Sequence, residues 1–251
     1  MKRVVLTRQD NSALAAALKE SGVECVDMPL IESVFAVSQT DAADVFDELG
    51  GYDWITFSSP NAVRGFFKAF FAEFKDIRCL GIARIACVGE GTARELAKFY
   101  IDADVIPEKS TAVDMAEAMG NFESLENLKV LSVVGNLAMP GLVKTLEAKR
   151  AIVDTFEVYK TLHIELDASS PAVAEFRDSG AHVIVFSSPS AIESFVKNAS
   201  KLALGAGAVR PKIVAIGETT AAAAKKASMP VGAVSPSARA EDIAACVLSL
   251  L

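Results

Sequence analysis

The chain repeats itself at an interval of about half its length. Tyr52-Asp53-Trp54-Ile55-Thr56-Phe57-Ser58-Ser59-Pro60-Asn61-Ala62-Val63 returns as Ala181-His182-Val183-Ile184-Val185-Phe186-Ser187-Ser188-Pro189-Ser190-Ala191-Ile192, with Ser58 matching Ser187 at an offset of 129. Arg84–Leu96, built around Val88-Gly89-Glu90-Gly91-Thr92-Ala93, returns as Lys212–Ala224 around Ile216-Gly217-Glu218-Thr219-Thr220-Ala221, at an offset of 128. Pro107 and Asp114 find partners in Pro236 and Asp242, and the weaker segment Lys2–Ile31 resembles Lys129–Val158, with Leu14 and Leu18 against Leu142 and Leu146. Solenoid repeats recur every ~20–50 residues; a unit of this length is instead a whole small domain. Copy one runs over about Met1–Asn121 and copy two over about Leu128–Leu251. A duplicated unit of this kind predicts a site between the copies.

Within each copy, short apolar runs alternate with helical patterns, the signature of βαβ units on a parallel sheet. The predicted strands are Arg3–Leu6, Val23–Asp27, Trp54–Phe57, Ile85–Val88, Ala103–Ile106, Lys129–Val134, Ile152–Phe156, Val183–Phe186, Ile213–Ile216 and Val231–Val234. Five strands per copy point to an α/β fold with two flavodoxin-like, doubly wound parallel sheets. Pro29–Gln39 and Glu157–Asp167 interrupt this rhythm at matched places. β-branched and aromatic residues outnumber turn formers there, so both read as strand-like connectors rather than flexible linkers. If they pair, the chain crosses between lobes twice. One lobe is then residues 1–32 plus 168–251 and the other 40–156, with connectors at 33–39 and 157–167. Tandem copies remain the alternative at this point.

Composition removes several functions. A formal net charge of −7 offers no basic field for nucleic acid. Cys25, Cys79, Cys87 and Cys246 form no C-x-x-C pair and sit in or beside apolar runs, where cysteine behaves as a small buried hydrophobe. With His163 and His182 the only histidines, no metal-ligand spacing exists and a hydrolytic triad has no plausible base. His182 at a strand start reads as structural, and His163 beside a connector as solvated. The polar turn at Thr7-Arg8-Gln9-Asp10 ends the first apolar run too early for a signal peptide, and nothing approaches the ~18 apolar residues of a membrane span. A reduced, cytoplasmic protein with no membrane partner is expected.

The repeated motifs carry the chemistry. Ser58-Ser59-Pro60-Asn61 and Ser187-Ser188-Pro189-Ser190 each follow a strand and open a helix. Serine is a favoured helix cap and proline a favoured first helical residue, which accounts for either motif taken singly. The same geometry also seats an anion on free N–H groups at the positive end of the helix dipole. Occurring twice at matched positions, the pair becomes a candidate for the walls of a site. Gly89-Glu90-Gly91-Thr92-Ala93-Arg94 has G-x-G, but arginine stands where a dinucleotide fingerprint needs its third glycine, and the second copy lacks even the second. Capture of a carboxylate or substrate at Thr92, Thr219 and Thr220 is the better reading. Phe66, Phe67, Phe70, Phe71 and Phe74 form a stripe that reads as a face packed on the sheet rather than a stacking surface. Tyr159 stands in a connector, where an aromatic is not obliged to be buried and a phenol can face a cleft as a weak proton donor.

Taken in order and spacing, these motifs resemble the uroporphyrinogen-III synthases. The matching features are Thr7-Arg8 after the first strand, Pro29-Leu30-Ile31, Phe57-Ser58-Ser59-Pro60-Asn61-Ala62-Val63 and Gly89-x-x-Thr92-Ala93, then Val158-Tyr159-Lys160-Thr161, Phe186-Ser187-Ser188-Pro189-Ser190 and Gly217-Glu218-Thr219-Thr220-Ala221. One departure is Gly91-Thr92 opposite Thr219-Thr220, which leaves copy one a single hydroxyl. The resemblance implies a cofactor-free, metal-free, cyclising hydro-lyase of tetrapyrrole synthesis, acting as a monomer. Its substrate is hydroxymethylbilane, a linear tetrapyrrole with eight carboxylates, which is closed with inversion of the last ring and loss of water. The family is bilobed, with a two-stranded connector and the substrate held between lobes, which favours exchanged copies over tandem ones. The resemblance gives Tyr159 as the catalytic residue. Substrate binding falls to Arg8, Ser58, Ser59, Asn61, Gly89, Thr92, Ser187, Ser188, Ser190, Gly217, Thr219 and Thr220. Such a substrate expels its own hydroxyl, so the protein's task is confinement and orientation more than strong acid–base chemistry. The competing readings are a bilobed small-molecule binding or sensor protein without catalysis and, more weakly, a nucleotide-dependent enzyme.

Overall fold

In the computed structural model, which describes residues 2–138 and 140–251, the chain divides into two compact units. Unit 1 comprises Met1–Glu32 and Leu162–Leu251, and unit 2 comprises Ser33–Thr161.

The unit 1 sheet contains β1 (Lys2–Leu6), β2 (Val23–Asp27), β8 (Val183–Phe186), β9 (Lys212–Ile216) and β10 (Val231–Ser235), in the spatial order β10-β9-β8-β1-β2. All four pairings are parallel. Side chains alternate between faces along each strand. Val5, Ile184, Phe186 and Ile213 pack with α7 (Pro171–Ser179), α8 (Pro189–Lys197) and α9 (Gly217–Lys226). Val4, Leu6, Val183, Val185 and Val214 pack with α1 (Ser12–Lys19) and α10 (Ala240–Leu250). Leu14 and Leu18 supply the buried face of α1. Because helices cover both faces, the inner strands β1, β8 and β9 carry unbroken apolar runs rather than alternating ones.

Unit 2 contains β3 (Ile31–Val34), β4 (Trp54–Phe57), β5 (Arg84–Cys87), β6 (Lys129–Gly135) and β7 (Ile152–His163), in the order β3-β7-β6-β4-β5. β7-β6-β4-β5 are parallel neighbours. One face carries Ile55, Phe57, Ile85, Leu131 and Val133 against α2 (Gln39–Asp47), α3 (Pro60–Glu73) and α4 (Glu90–Leu96). Phe66, Phe67 and Phe70 are core on this face, and only Phe71 of the stripe is exposed. The other face carries Trp54, Ala86 and Val130 against α5 (Ala112–Phe122) and α6 (Gly141–Ala148). Both units are therefore α/β with doubly wound parallel sheets. In unit 2, β6 and β7 from copy two occupy the places that β1 and β2 from copy one hold in unit 1.

Four sequence expectations need correction. Ala103–Ile106 forms no strand, only an isolated bridge between Ala86 and Val105. The Asp104 carboxylate takes the Ile85 N–H at 2.7 Å, withdrawing a donor a longer ladder would need, and Pro107 supplies none. The strand predicted to end at Phe156 continues to His163, so strand and connector are one element, β7. Cys79 is exposed, set in a short 3-10 turn, and only Cys87 of the four cysteines is buried. His163 is half-buried rather than fully solvated: its Nδ1 is buried with no hydrogen-bond partner among the described residues, and its Nε2 lies 3.9 Å from Glu193.

Candidate active site

Open parallel sheets bind ligands beyond the carboxyl ends of their strands, where the strand order reverses. In unit 2 that point lies between β4 and β6, and in unit 1 between β1 and β8. The two Ser-Ser-Pro motifs and Thr7-Arg8 leave the sheets at these two places, and the glycine–threonine motifs leave from the neighbouring strands β5 and β9.

In unit 2, β4 ends at Phe57 and Ser58-Ser59 carry the chain into α3. Ser59 caps the helix by accepting the Ala62 N–H at 3.0 Å, while the Ser58 hydroxyl donates to the Val133 carbonyl at 3.1 Å. Pro60 has no N–H, so the cap leaves the Asn61 N–H as the first-turn donor without an acceptor among the described residues. The Asn61 side chain donates to Ser33 Oγ at 3.0 Å and accepts from Arg64 at 2.9 Å. Arg64 in turn grips Glu95 through two nitrogens, and the Glu95 carboxyl is held below the usual range, chiefly by that hydrogen bond.

Tyr159 joins this strand end. Its hydroxyl lies 3.0 Å from Ser59 Oγ, and either group has the proton to donate. Its carbonyl accepts the Asn136 N–H at 3.1 Å, and Asn136 Oδ1 takes the Thr161 N–H at 2.8 Å. Tyr159 pairs with Gly135 where the β6–β7 register slips by one residue. A Cβ at Gly135 would stand 2.4 Å from the ring's Cζ, so ring and glycine are in face-to-backbone contact. Gly135 and Asn136 were not among the residues read from sequence. Their signal was available, since they directly follow the predicted strand Lys129–Val134 as Thr7-Arg8 follow Arg3–Leu6.

At the end of β5, Gly89 opens α4 with extended backbone, and a Cβ there would meet Ser110 Oγ at 2.4 Å. Thr92 is 2% exposed, so it offers a ligand little hydroxyl surface.

In unit 1, β8 leads into Ser187-Ser188. Ser188 accepts the Ala191 N–H at 3.3 Å to cap α8, and its hydroxyl lies 3.0 Å from that of Ser190. β9 leads into Gly217, whose φ of +75° begins α9 directly. Thr220 is 1% exposed and Thr219 is exposed, so Thr219 is the accessible hydroxyl of the pair. Beyond β1, Thr7 donates to the Val185 carbonyl at 2.7 Å, tying β1 to β8 at the reversal. Arg8 then lines a cleft of about 220 Å3 together with Asp10, Asn11, Ser12, Ala238 and Ala240. Burial lowers the pKa of its guanidinium, against an opposing pull from Asp10. The first turns of α1 and α10, both without side-chain caps, meet at this cleft. The Asp10 carboxylate already takes the Ser12 N–H at 3.0 Å. Arginine beside helix starts suits a carboxylate ligand.

Ser58, Ser59, Asn61, Gly89, Thr92 and Tyr159 thus belong to unit 2, and Arg8, Ser187, Ser188, Ser190, Gly217, Thr219 and Thr220 to unit 1. Among the described residues, no group of three or more His, Cys, Asp or Glu is placed to hold a metal ion, and no helix is long and apolar enough to cross a membrane.

Comparison with known proteins gives one consistent answer. The family model described as uroporphyrinogen-III synthase HemD matches residues 12–245. A chloroplastic uroporphyrinogen-III synthase of Oryza sativa is 30% identical over 234 residues, which cover 89% of this chain and 72% of the rice protein. A porphyrin biosynthesis protein HemD of Ruminiclostridium josui is 28% identical over 89% of this chain, which spans only 44% of that longer protein. Among solved structures, uroporphyrinogen III synthase from Thermus thermophilus superposes with a TM-score of 0.68 at 16% identity, covering 99% of this chain and 97% of the other. The Helicobacter pylori uroporphyrinogen-III synthetase gives 0.66 at 16% identity with full coverage of both chains. At such identity the structural likeness is one of fold.

Proposed function

The chain belongs to the uroporphyrinogen-III synthase family, and from that premise we propose that it converts hydroxymethylbilane to the cyclic tetrapyrrole with its last ring inverted. The observation that carries this reading is the meeting of two family motifs a hundred residues apart: the Tyr159 hydroxyl lies 3.0 Å from Ser59 Oγ at the strand-order reversal of unit 2.

In this reading Tyr159 gives its proton to the departing hydroxyl, which leaves as water, and the bilane becomes a cationic azafulvenium that keeps its pyrrole N–H. The substituted carbon of the last pyrrole attacks the freed methylene and forms a spiro intermediate. The older bond to the neighbouring methylene then breaks, and the last ring's other α-carbon closes onto it. The proton that this carbon loses returns to the tyrosinate, so the enzyme is restored and one water is released. The intrinsic reactivity of the bilane makes orientation the main demand, to which strand-end donors are suited. The carboxylates are taken by Arg8, by the half-buried hydroxyls of Ser187, Ser188 and Ser190 and the exposed one of Thr219, and by first-turn N–H groups at Asn61 and Ser190. Gly217 leaves its helix start open to a ligand, Gly89 contributes backbone beside Ser110, and Thr92 and Thr220 contribute backbone more than hydroxyl. The protein is then a cofactor-independent, cyclising hydro-lyase, a cytoplasmic monomer with a small-molecule partner. Its net charge of −7 disfavours a nucleic-acid one.

Steady-state turnover of freshly made hydroxymethylbilane tests the proposal. The wild-type protein should turn it over. Tyr159→Phe should lower kcat by roughly 10- to 1000-fold, at or below the usual range for general-acid assistance because the leaving group departs readily. No turnover by the wild-type protein overturns the function. Equal turnover by the two overturns the role of Tyr159.

A further inference from the structure

Tyr159 is held from two sides by groups that no motif of the sequence assigns to it. The ring rests on Gly135, where a Cβ would stand 2.4 Å from Cζ, 2.6 Å from Cε2 and 2.7 Å from Cε1. No rotation of the aromatic ring clears atoms on three of its positions, so any side chain at 135 moves the phenol. The hydroxyl meets Ser59, whose Oγ already accepts the Ala62 N–H at 3.0 Å as the cap of α3. A serine hydroxyl has one proton and two acceptor sites. With one acceptor site engaged by the helix, its proton is free to point at the tyrosine oxygen 3.0 Å away. A phenol that accepts this bond keeps its own proton for something else.

The duplication supplies an internal control. The copy of Ser59 is Ser188, which caps α8 in the same way but turns to Ser190 Oγ at 3.0 Å. The counterpart of Tyr159 at offset 128 is Ile31, and β1, the counterpart of β6, holds no glycine. The cap is common to both copies, whereas the glycine, the tyrosine and the serine–tyrosine bond occur together in one.

We propose that Gly135 and Ser59 are positioning residues for Tyr159. Gly135 leaves the space that fixes the ring, and Ser59 donates to the phenol oxygen so that the phenol's proton is presented to the departing hydroxyl. This inference rests on the proposed function, since it concerns how the same tyrosine is set for that reaction.

The test compares Gly135→Ala, Ser59→Ala, Ser59→Thr, Tyr159→Phe and the double variant Ser59→Ala with Tyr159→Phe. Each is assayed for kcat and KM with hydroxymethylbilane, and each for its thermal midpoint. Gly135→Ala should approach Tyr159→Phe, losing roughly 10-fold or more in kcat, with KM within about 3-fold because the carboxylate donors are untouched. Ser59→Ala should lose about 5- to 10-fold in kcat, the worth of one ordinary hydrogen bond. Ser59→Thr keeps both hydroxyl and cap and should restore most of that loss. In the Tyr159→Phe background, Ser59→Ala should change kcat by less than about 2-fold, because its effect runs through the missing hydroxyl. A serine that served only as a helix cap would cost the same in both backgrounds, and that outcome overturns the proposal. Wild-type kcat in Gly135→Ala and Ser59→Ala, with Tyr159→Phe impaired, overturns it too while leaving the proposed function standing. If Gly135→Ala does not fold, the serine series decides alone. Wild-type turnover by Tyr159→Phe would instead remove the role of the tyrosine itself.

Discussion

Gly89 and Gly217 occupy matched positions in the two copies, yet each is glycine for its own reason. Gly217 holds a φ of +75° with nothing within 4 Å of a Cβ, so its need is conformational. Gly89 is extended, and its need is space against Ser110. A sequence displays the shared letter but not which of these applies. The same limit holds at Tyr159: its candidacy was read from a connector that proves to be part of β7, whereas its contact with Gly135 depends on a register slip that no local pattern announces. His182 was legible, because a histidine opening a strand has backbone to satisfy. Its Nδ1 accepts the Arg3 N–H at 3.1 Å, and burial first, then Lys2 and Arg3, lower its pKa. Between that lowered value and the ordinary ~6.5, the unfolded chain binds a proton the folded one refuses. Stability should therefore fall as pH drops through the ordinary value and level off below the folded one. His182→Asn keeps an acceptor for Arg3 without the titration. Thermal unfolding from pH 7.5 to 5.5 should show a shallower decline in the variant than in the wild type, and parallel declines would contradict this account.

At the scale of elements, strand positions were legible because apolar runs buried on both faces are unbroken and bounded by turns. What escaped was register. Trp54 and Val183 are repeat partners at offset 129, and they pair with Val130 and Val4 respectively. β1 and β6 are thus equivalent at offset 126, while Leu14 and Leu142 match at 128. Copy two holds two more residues between strand and helix, and β6 is correspondingly longer, reaching Gly135. The strand predicted at Ala103–Ile106 escaped for a different reason, the competition of the Asp104 side chain for a ladder donor. The two sheets also differ in their middles. Thr56 and Ser132 pair across β4 and β6, both 0% exposed, and neither hydroxyl has a hydrogen-bond partner among the described residues. The equivalent pair in unit 1 is Val185 and Leu6. A buried hydroxyl without a partner costs ~1–3 kcal/mol, so Thr56→Val, which keeps the shape, should stabilise the protein by about 1 kcal/mol in denaturant unfolding. A loss of stability would reveal an acceptor or donor at that spot and contradict this account.

For the molecule as a whole, the duplication is the property from which most else follows. Two sheets of one ancestry give two strand-order reversals, each furnished with a Ser-Ser-Pro turn and a helix start. Among the described residues Tyr159 stands at the strand ends of unit 2 and the cleft lined by Arg8 lies in unit 1; in the proposed reading the first serves the chemistry and the second charge recognition. A protein of net charge −7 gathers no polyanion by its overall field. In the proposed reading, recognition of a substrate with eight carboxylates therefore falls to local donors at the strand ends. The central claim is that such donors orient the last ring so that it closes inverted, an outcome the free azafulvene does not reach unaided. The most direct measurement is the isomer composition formed from a fixed amount of hydroxymethylbilane as the wild-type protein is raised from zero to a molar excess, separated by chromatography. The inverted isomer should rise with protein until it is essentially the sole product. A composition that stays at the protein-free mixture, whatever the amount added, would contradict the account.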